Sequence, residues 1–320
     1  MTDRTTCPTC QAEDVQINAD GRIRKHKANG EPCPGGGTPT GTARIPKPAR
    51  GWYTCPETGT KLRRVTTILE KGVPKPALPY WSANITAESA MENLPTLVRA
   101  SRRPADAQEA YDWLRRAHTR KKDERADIGS AVHRIIEAHV LGTPMPEELL
   151  DDPEMRPYLE NFLRFVAEYE VAFEASEMVV GSYEHCYAGT LDFILRSPHI
   201  HDGRLSLGDT KTGGELDLRL SDGTLKGVYP EAGMQMSAYR HAEVCWLRDG
   251  TRLPMPETHD EGVVLHLRPE GYRVYPVKCG PDVFAKFLHA AQVAAWSTEV
   301  ARTVVGAALP VPSRLALEVA

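Results

Sequence analysis

The stretch "LGDTKTG", residues 207–213, sets an acid and a lysine two positions apart between an apolar run and a glycine pair. Side chains alternate in direction along a strand, so Asp209 and Lys211 project to one face, about 7 Å apart. A solvated ion pair accounts for two such residues and contributes little to stability. The residues around them decide whether they form a site.

Upstream, "YAGTLDFIL" (187–195) puts Asp192 inside an apolar strand. An ionised carboxylate there is costly unless a cation, a hydrogen bond or water meets it; the alternative is a carboxylate at the strand's wet end. Gly189 permits close backbone approach. The helical stretch "DIGSAVHRIIEAHV" (127–140) carries His133, with Glu137 on the same face at i, i+4 and His139 off it. A hydrogen-bonded core histidine is the alternative. Downstream, "QMSAY" (235–239) sets Gln235 and Tyr239 one helical turn apart, as either a site edge or the polar stripe of an amphipathic helix.

Apolar residues at three-to-four spacing predict helices over 77–94, 106–140 with a break before Asp127, and 155–173. Strand-like runs start at Glu177, Ala188 and Arg204, with Asp202 and Gly203 turning the chain between the last two. A helix over 230–247, strands from Gly262 and Tyr272, and a last helix over 281–304 complete an α/β core.

The chain has 320 residues and a net charge of -4, so any nucleic-acid surface is a local patch. One such patch runs over 22–64, where ten cationic side chains face only Glu31 and Glu57, a local excess of eight. A basic, Pro- and Gly-rich linker is expected over 38–51, including Arg44, Lys47 and Arg50. No apolar run approaches the ~18 residues of a membrane span and the N-terminal stretch does not read as a basic-then-apolar leader, so a cytoplasmic, soluble protein without membrane contact is expected.

Seven cysteines, an odd number, do not suggest a disulfide framework. Cys7, Cys10, His26 and Cys33 read C-x2-C-x15-H-x6-C, a donor set suited to tetrahedral Zn²⁺. Residues 1–37 are therefore expected to be a small module that draws folding free energy from the metal. Unstructured or reduced, unliganded thiols are the alternative. Arg22, Arg24, Lys25 and Lys27 fall between the ligand pairs as a basic ridge.

In order, the string of Gly129 and His133, "AGTLD" (188–192), "GDTKTG" (208–213) and "QMSAY" (235–239) resembles the RecB-like nuclease family of the PD-(D/E)XK clan. "VTTILEKGVPKPALPYW" (65–81) is similar to the opening of phage-borne RecB or CRISPR-associated-type exonucleases. The resemblance implies a restriction-endonuclease-like core over 52–308, a mixed central sheet flanked by helices, with a tail over 309–320. It implies a metal-dependent DNA exonuclease in phage or bacterial DNA processing or recombination, with DNA and a recombination protein as partners. A DNA-end-binding accessory protein with little turnover and a structure-specific endonuclease are the alternatives. His133, Asp192, Asp209 and the backbone carbonyl of Thr210 would hold Mg²⁺ or Mn²⁺. Lys211 would assist attack on the phosphate, and Gln235 and Tyr239 would contact substrate. Glu177 matches an acid that precedes the second motif in many members, and Lys226 and Tyr229 would face nucleic acid. Many CRISPR-associated relatives hold an iron–sulfur cluster with three cysteines near the C-terminus; here no cysteine follows Cys279, so no cluster is expected.

Overall fold

The computed structural model describes residues 4–7, 9–18, 22–37, 45–219, 223 and 227–309. Residues 38–44 of the expected linker, with Arg44, as well as Lys226 and the tail from 310 onward, lie outside the described residues. Two short ladders come first, β1 (Arg4–Thr5) with β2 (Val15–Gln16) and β3 (Lys27–Ala28) with β4 (Glu31–Pro32). Next come β5 (Pro48–Ala49), β6 (Trp52–Thr54) and β7 (Lys61–Arg64), the last leading directly into α1 (Val65–Gly72). The end of the expected linker is thus part of a ladder, β5 pairing with β6. Helices α2 (Ala77–Glu92), α3 (Leu94–Ala100), α4 (Pro104–Arg115), α5 (Ala117–Leu141), α6 (Glu147–Leu150) and α7 (Arg156–Glu168) follow. Strands β8 (Ala172–Ser182), β9 (Tyr187–Arg196) and β10 (Ser206–Lys211) then precede α8 (Glu231–Arg240). The chain continues through β11 (Val244–Trp246), β12 (Arg252–Pro254), β13 (Glu261–Arg268) and β14 (Gly271–Lys278) to α9 (Pro281–Ala295) and α10 (Ala301–Val304).

The main sheet runs β12-β11-β8-β9-β10-β13-β14. β10 pairs with β13 in parallel and the other neighbours on this path are antiparallel, while β7 joins β9 in parallel. The sheet is therefore mixed, as expected. Its central strands are apolar on both faces because helices cover both. Val65, Ile68 and Leu69 of α1, Met236 and Ala238 of α8 and Phe287 of α9 pack with Ile194, Leu207 and Val264 of the sheet. Val132, Ile135 and Ile136 of α5 and Phe162 and Phe165 of α7 pack with Phe193, Leu195, Val263 and Leu265.

The structure corrects four helix boundaries, the first being the helix expected over 155–173, which ends at Glu168 and gives way to β8 at Ala172. The break expected before Asp127 falls at Arg116 instead, and α5 runs uninterrupted for 25 residues. Gly129 costs that helix about 1 kcal/mol, which burial of Val132, Ile135 and Ile136 in the next turns offsets. The helix expected to reach residue 247 ends at Arg240. Val244, Cys245 and Trp246 pair with the edge of β8 instead, and the Glu243 carboxylate before them accepts from Ser182 Oγ and from the N–H groups of Tyr183 and Glu184. The last helix is interrupted by a π turn over Trp296–Val300. Among the described residues no helix is long and apolar enough to cross a membrane.

Candidate active site and metal centre

The registers of β8, β9 and β10 line up a row of acids. The pairs Ser176↔Phe193 and Met178↔Leu191 flank Glu177, which therefore faces Asp192. One step beyond Gly208↔Phe193, Asp209 comes opposite Asp192 from the other side. Opposed residues of antiparallel strands share a face, so acids from three strands line one face, Glu177 and Asp192 close together and Asp209 next to them. Glu177 holds a left-handed φ of 49°, a conformation that costs a non-glycine residue about 1–3 kcal/mol. Lys211 follows on the face of Asp209, its Nζ 2.6 Å from Asp209 Oδ2.

β8 occupies one edge of β9 along its length, and the other edge is shared. β10 takes residues 193–195 and β7 takes residues 187–188. Between those two ladders the sheet opens into a cleft of about 480 Å³. There the N–H of Thr210 donates to Asp192 Oδ2 at 2.6 Å. This is where the structure places Thr210, whose carbonyl was expected as a ligand.

Helices from the two layers complete the cleft. α5 brings His133, whose Nδ1–H donates to Glu177 Oε1 at 2.9 Å while Nε2 lies 3.7 Å from Asp192 Oδ2. α8 brings Gln235, which donates to Asp209 Oδ1 at 3.1 Å and to the Tyr239 hydroxyl at 3.3 Å. Tyr239 reaches this position because residue 189 is glycine; a Cβ there would lie 2.4 Å from its ring. Glu137, the helical neighbour of His133, pairs with Arg248, and His139 packs edge-on against Phe162. Tyr53, Arg64 and Thr66 also line the cleft. Sequence reading missed these three, because their place in the cleft comes from the pairing of β7 with β9.

The electrostatics follow from burial. Asp192 and Asp209 are buried at 9% and 2% exposure. Burial and the charge of Asp209 push the Asp192 carboxyl well above its usual range, with His133 and Lys211 opposing. Burial would lower the His133 imidazole, but the bond to Glu177 and the charges of Asp192, Glu177 and Asp209 outweigh it and raise the pKa to about 9. Lys211 is likewise raised, since Asp209 and Asp192 overcome desolvation, so it is an ammonium at neutral pH. Burial, then the two aspartates, hold the Tyr239 phenol well above its ordinary value.

His133, Glu177 and Asp192 present ligand atoms within 4.8 Å of one another. Asp209 is outside that triplet, turned toward Lys211 and Gln235. One imidazole among carboxylate oxygens is a donor set that a metal ion could use. Because Glu177 takes Nδ1–H, the nitrogen left to face Asp192 is Nε2, the usual arrangement of a histidine oriented by an outer carboxylate.

At the N-terminus, Cys7, Cys10, His26 and Cys33 also come within 4.8 Å of one another. The sulfurs of Cys7 and Cys33 are 3.8 Å apart, and Cys10 Sγ is 3.1 Å from His26 Nε2. Sulfurs each ~2.3 Å from a tetrahedral Zn²⁺ stand ~3.8 Å apart, so the quartet fits zinc. His26 Nδ1 bonds the Arg24 carbonyl, which leaves Nε2 as the ligand. Burial would raise the Cys7 thiol, but N–H groups of Cys10 and Thr9 outweigh it and lower the pKa to about 6. Cys7 and Cys33 pack with Val15 and Ile23 in a core of their own. Of the basic ridge, Arg22 donates to the Gly37 carbonyl and Arg24 to Gln16.

No protein-family model matches the chain, and no curated protein matches it. A solved structure, SSO0001, is similar at 13% identity over 54% of this chain and 76% of that one, with a TM-score of 0.26.

Proposed function

We propose that the cleft hydrolyses phosphodiester bonds of DNA with a divalent cation, as in the RecB-like nucleases of the PD-(D/E)XK clan. The observation that carries this reading is the row of facing acids with an ammonium beside it: Asp192 opposite Asp209, and Lys211 Nζ 2.6 Å from Asp209. Without a cation such a row repels a phosphodiester.

Asp192 and His133 Nε2 would hold Mg²⁺ or Mn²⁺, and Glu177 keeps the imidazole aimed. When bound, the cation supplies a nucleophilic water at neutral pH and polarises the phosphoryl oxygen. Lys211 keeps its proton and so is a donor, not a base: it offers a hydrogen bond to the anionic oxygens of the phosphate, where charge grows during attack. Gln235 fixes Asp209 through Oδ1, which leaves Oδ2 to orient the ammonium. Tyr239 stays a neutral phenol and acts through Gln235. The Cys7-Cys10-His26-Cys33 quartet would hold a structural Zn²⁺. DNA processing or recombination in the cytoplasm, with a recombination protein as partner, is the setting that suits this chemistry.

Purified protein should degrade linear DNA with Mg²⁺ or Mn²⁺, stop with EDTA, and spare a closed circle; Asp192→Asn should lose the activity. Linear DNA left intact with either cation would contradict the reading. Cutting of circular single-stranded DNA would move it to an endonuclease.

A further inference from the structure

Strand β13 buries an imidazole where its neighbours are apolar. In "GVVLHLR" (262–268), Val263, Val264, Leu265 and Leu267 are core residues, and His266 among them is 3% exposed. Its Nδ1 has no hydrogen-bond partner among the described residues. A buried polar atom left unpaired is destabilising, so a phenylalanine or leucine would pack here without that penalty. What the imidazole adds is the N–H at Nε2, which donates to the carbonyl of Gly213 at 2.9 Å. Burial holds the His266 pKa below its ordinary value, so at neutral pH the ring carries a single N–H, and this bond uses it.

Gly213 stands two residues beyond Lys211, the last residue of β10. From 212 to 218 the backbone belongs to no strand or helix, and Gly213 and Gly214 are the residues there with the most freedom to lose. A lysine at such a strand end keeps its direction only if the chain after it is tied down. The β13–β14 hairpin supplies the ties. Lys211 and His266 are register partners across the parallel ladder of β10 and β13. Beside the His266 bond, Arg268 Nη1 donates to the Thr212 carbonyl at 2.6 Å and Arg273 Nε to Asp217 Oδ1 at 3.0 Å. The turn of the hairpin is itself fixed, since Asn161 Nδ2 of α7 donates to the carbonyls of Arg268 and Pro269 at 2.9 and 3.0 Å. Neither His266 nor Arg268 lines the cleft. Whatever they do for it, they do through the segment that carries the lysine.

We propose that His266 is a positioning residue for Lys211: its Nε2–H holds the Gly213 carbonyl, with Arg268 on that of Thr212, and so keeps the ammonium on Asp209 Oδ2 at the edge of the cleft. This rests on the nuclease reading for what the ammonium does there, but it is tested apart from it. Bis-p-nitrophenyl phosphate with Mn²⁺ reports turnover. Acetylation of Lys211 by an N-hydroxysuccinimide ester in EDTA, read by mass spectrometry against the exposed Lys75, reports how firmly the lysine is held without any chemistry at the acids. The variants, all in the full chain, are His266→Phe, which keeps a ring and loses the donor; His266→Gln, whose amide N–H stands near the place of Nε2–H; Arg268→Met; and His266→Phe combined with Lys211→Ala. Thermal melts report folding.

His266→Phe should lower kcat on the small diester by about 10- to 100-fold, as expected when a reacting group is displaced by about 1 Å, with KM little changed. His266→Gln should recover most of that loss, and Arg268→Met should lower kcat in the same way. On the Lys211→Ala background, His266→Phe should cost nothing further, because the two residues act as one unit. Lys211 should acetylate faster in His266→Phe and at the wild-type rate in His266→Gln. A wild-type kcat in folded His266→Phe overturns the proposal. So do equal losses in His266→Phe and His266→Gln, which would make the effect one of packing, and a full further loss on the Lys211→Ala background. If His266→Phe melts below the assay temperature, Arg268→Met decides, and wild-type turnover and labelling there overturn the proposal. A wild-type chain that cuts no diester removes the nuclease reading; faster labelling of Lys211 in His266→Phe then keeps the positioning, and equal labelling ends it.

Discussion

Replacing Lys211 with Ala separates chemistry from architecture. Asp209 is 2% exposed and Lys211 Nζ sits 2.6 Å from its Oδ2. Stripping one partner from a fully buried ion pair costs about 3–5 kcal/mol. Here the Lys211 side chain is 39% exposed, water can take the place of the ammonium, and Gln235 still donates to Oδ1. Discounted for that, the loss is about 1–2 kcal/mol of stability, a fall of a few degrees in thermal midpoint. The effect on turnover should be far larger. An ammonium that meets charge as it develops is worth about 10²–10³ in kcat, so hydrolysis should nearly vanish from a folded chain that still binds DNA. Initial rates on linear DNA and on bis-p-nitrophenyl phosphate, beside melting curves and DNA binding, measure each part. A variant with turnover within about tenfold of the wild type would refute the role given to the lysine.

Three further expectations follow from the same geometry. His133 and Asp192 both bind protons more tightly folded than unfolded, so without metal their contributions to stability weaken as pH rises, His133's being full below pH ~6.5 and lost through about 9; Mn²⁺, which competes with the His133 proton, should bind more tightly over that range, and flat Mn²⁺ titrations from pH 6.5 to 9 would contradict this. Cys33→Ser should release about one Zn²⁺ per chain to a chromogenic chelator, and a chain with no zinc to release would end the zinc assignment. Gly208→Ala would put a Cβ 1.7 Å from the Phe193 ring, a clash that should cost about 3 kcal/mol or more and remove Mn²⁺ stabilisation in thermal melts; a wild-type melt would show that this register is not pinned there.

The parts of this protein that could be read from its sequence are those where a local pattern meets a local physical need. "LGDTK" advertises a strand carrying an acid and a lysine on one face, and β10 spans those residues with the two side chains in contact. The Cys7-Cys10-His26-Cys33 cluster was legible because its spacing is itself the donor set. Glu177 was the hardest acid to weigh, since what aligns it with Asp192 is the β8–β9 register, and a left-handed backbone carries no side-chain signature in a glutamate. The end of α8 was misjudged for a related reason: "HAEVCWL" (241–247) is helical by periodicity, but the free edge of β8 offers Val244 and Trp246 hydrogen bonds and burial that a helix extended into solvent does not. Arg64 and Thr66 belong to the cleft only because β7 shares an edge of β9 with β10, and no spacing in the chain encodes that neighbourhood.

That shared edge explains why an acid cluster so costly to bury stays in one register. A slip of one residue between β9 and β10 would turn Asp209 and Lys211 to the opposite face and leave Asp192 without the Thr210 N–H. Two close contacts oppose the slip, one on each side of Asp192. Phe193, fully buried and edge-on to Phe173 at 5.5 Å, occupies the space over Gly208 that any other residue would fill. Tyr239, buried at 4% exposure, lies against Gly189 and holds Gln235 over Asp209. Each glycine is thus paired with an aromatic ring that fits only when the acids face each other, so the apolar packing fixes the polar geometry. Burial of the rings, on the order of 2–3 kcal/mol each, offsets the strain at Glu177 and the repulsion between Asp192 and Asp209. The cluster is held in place by the core around it.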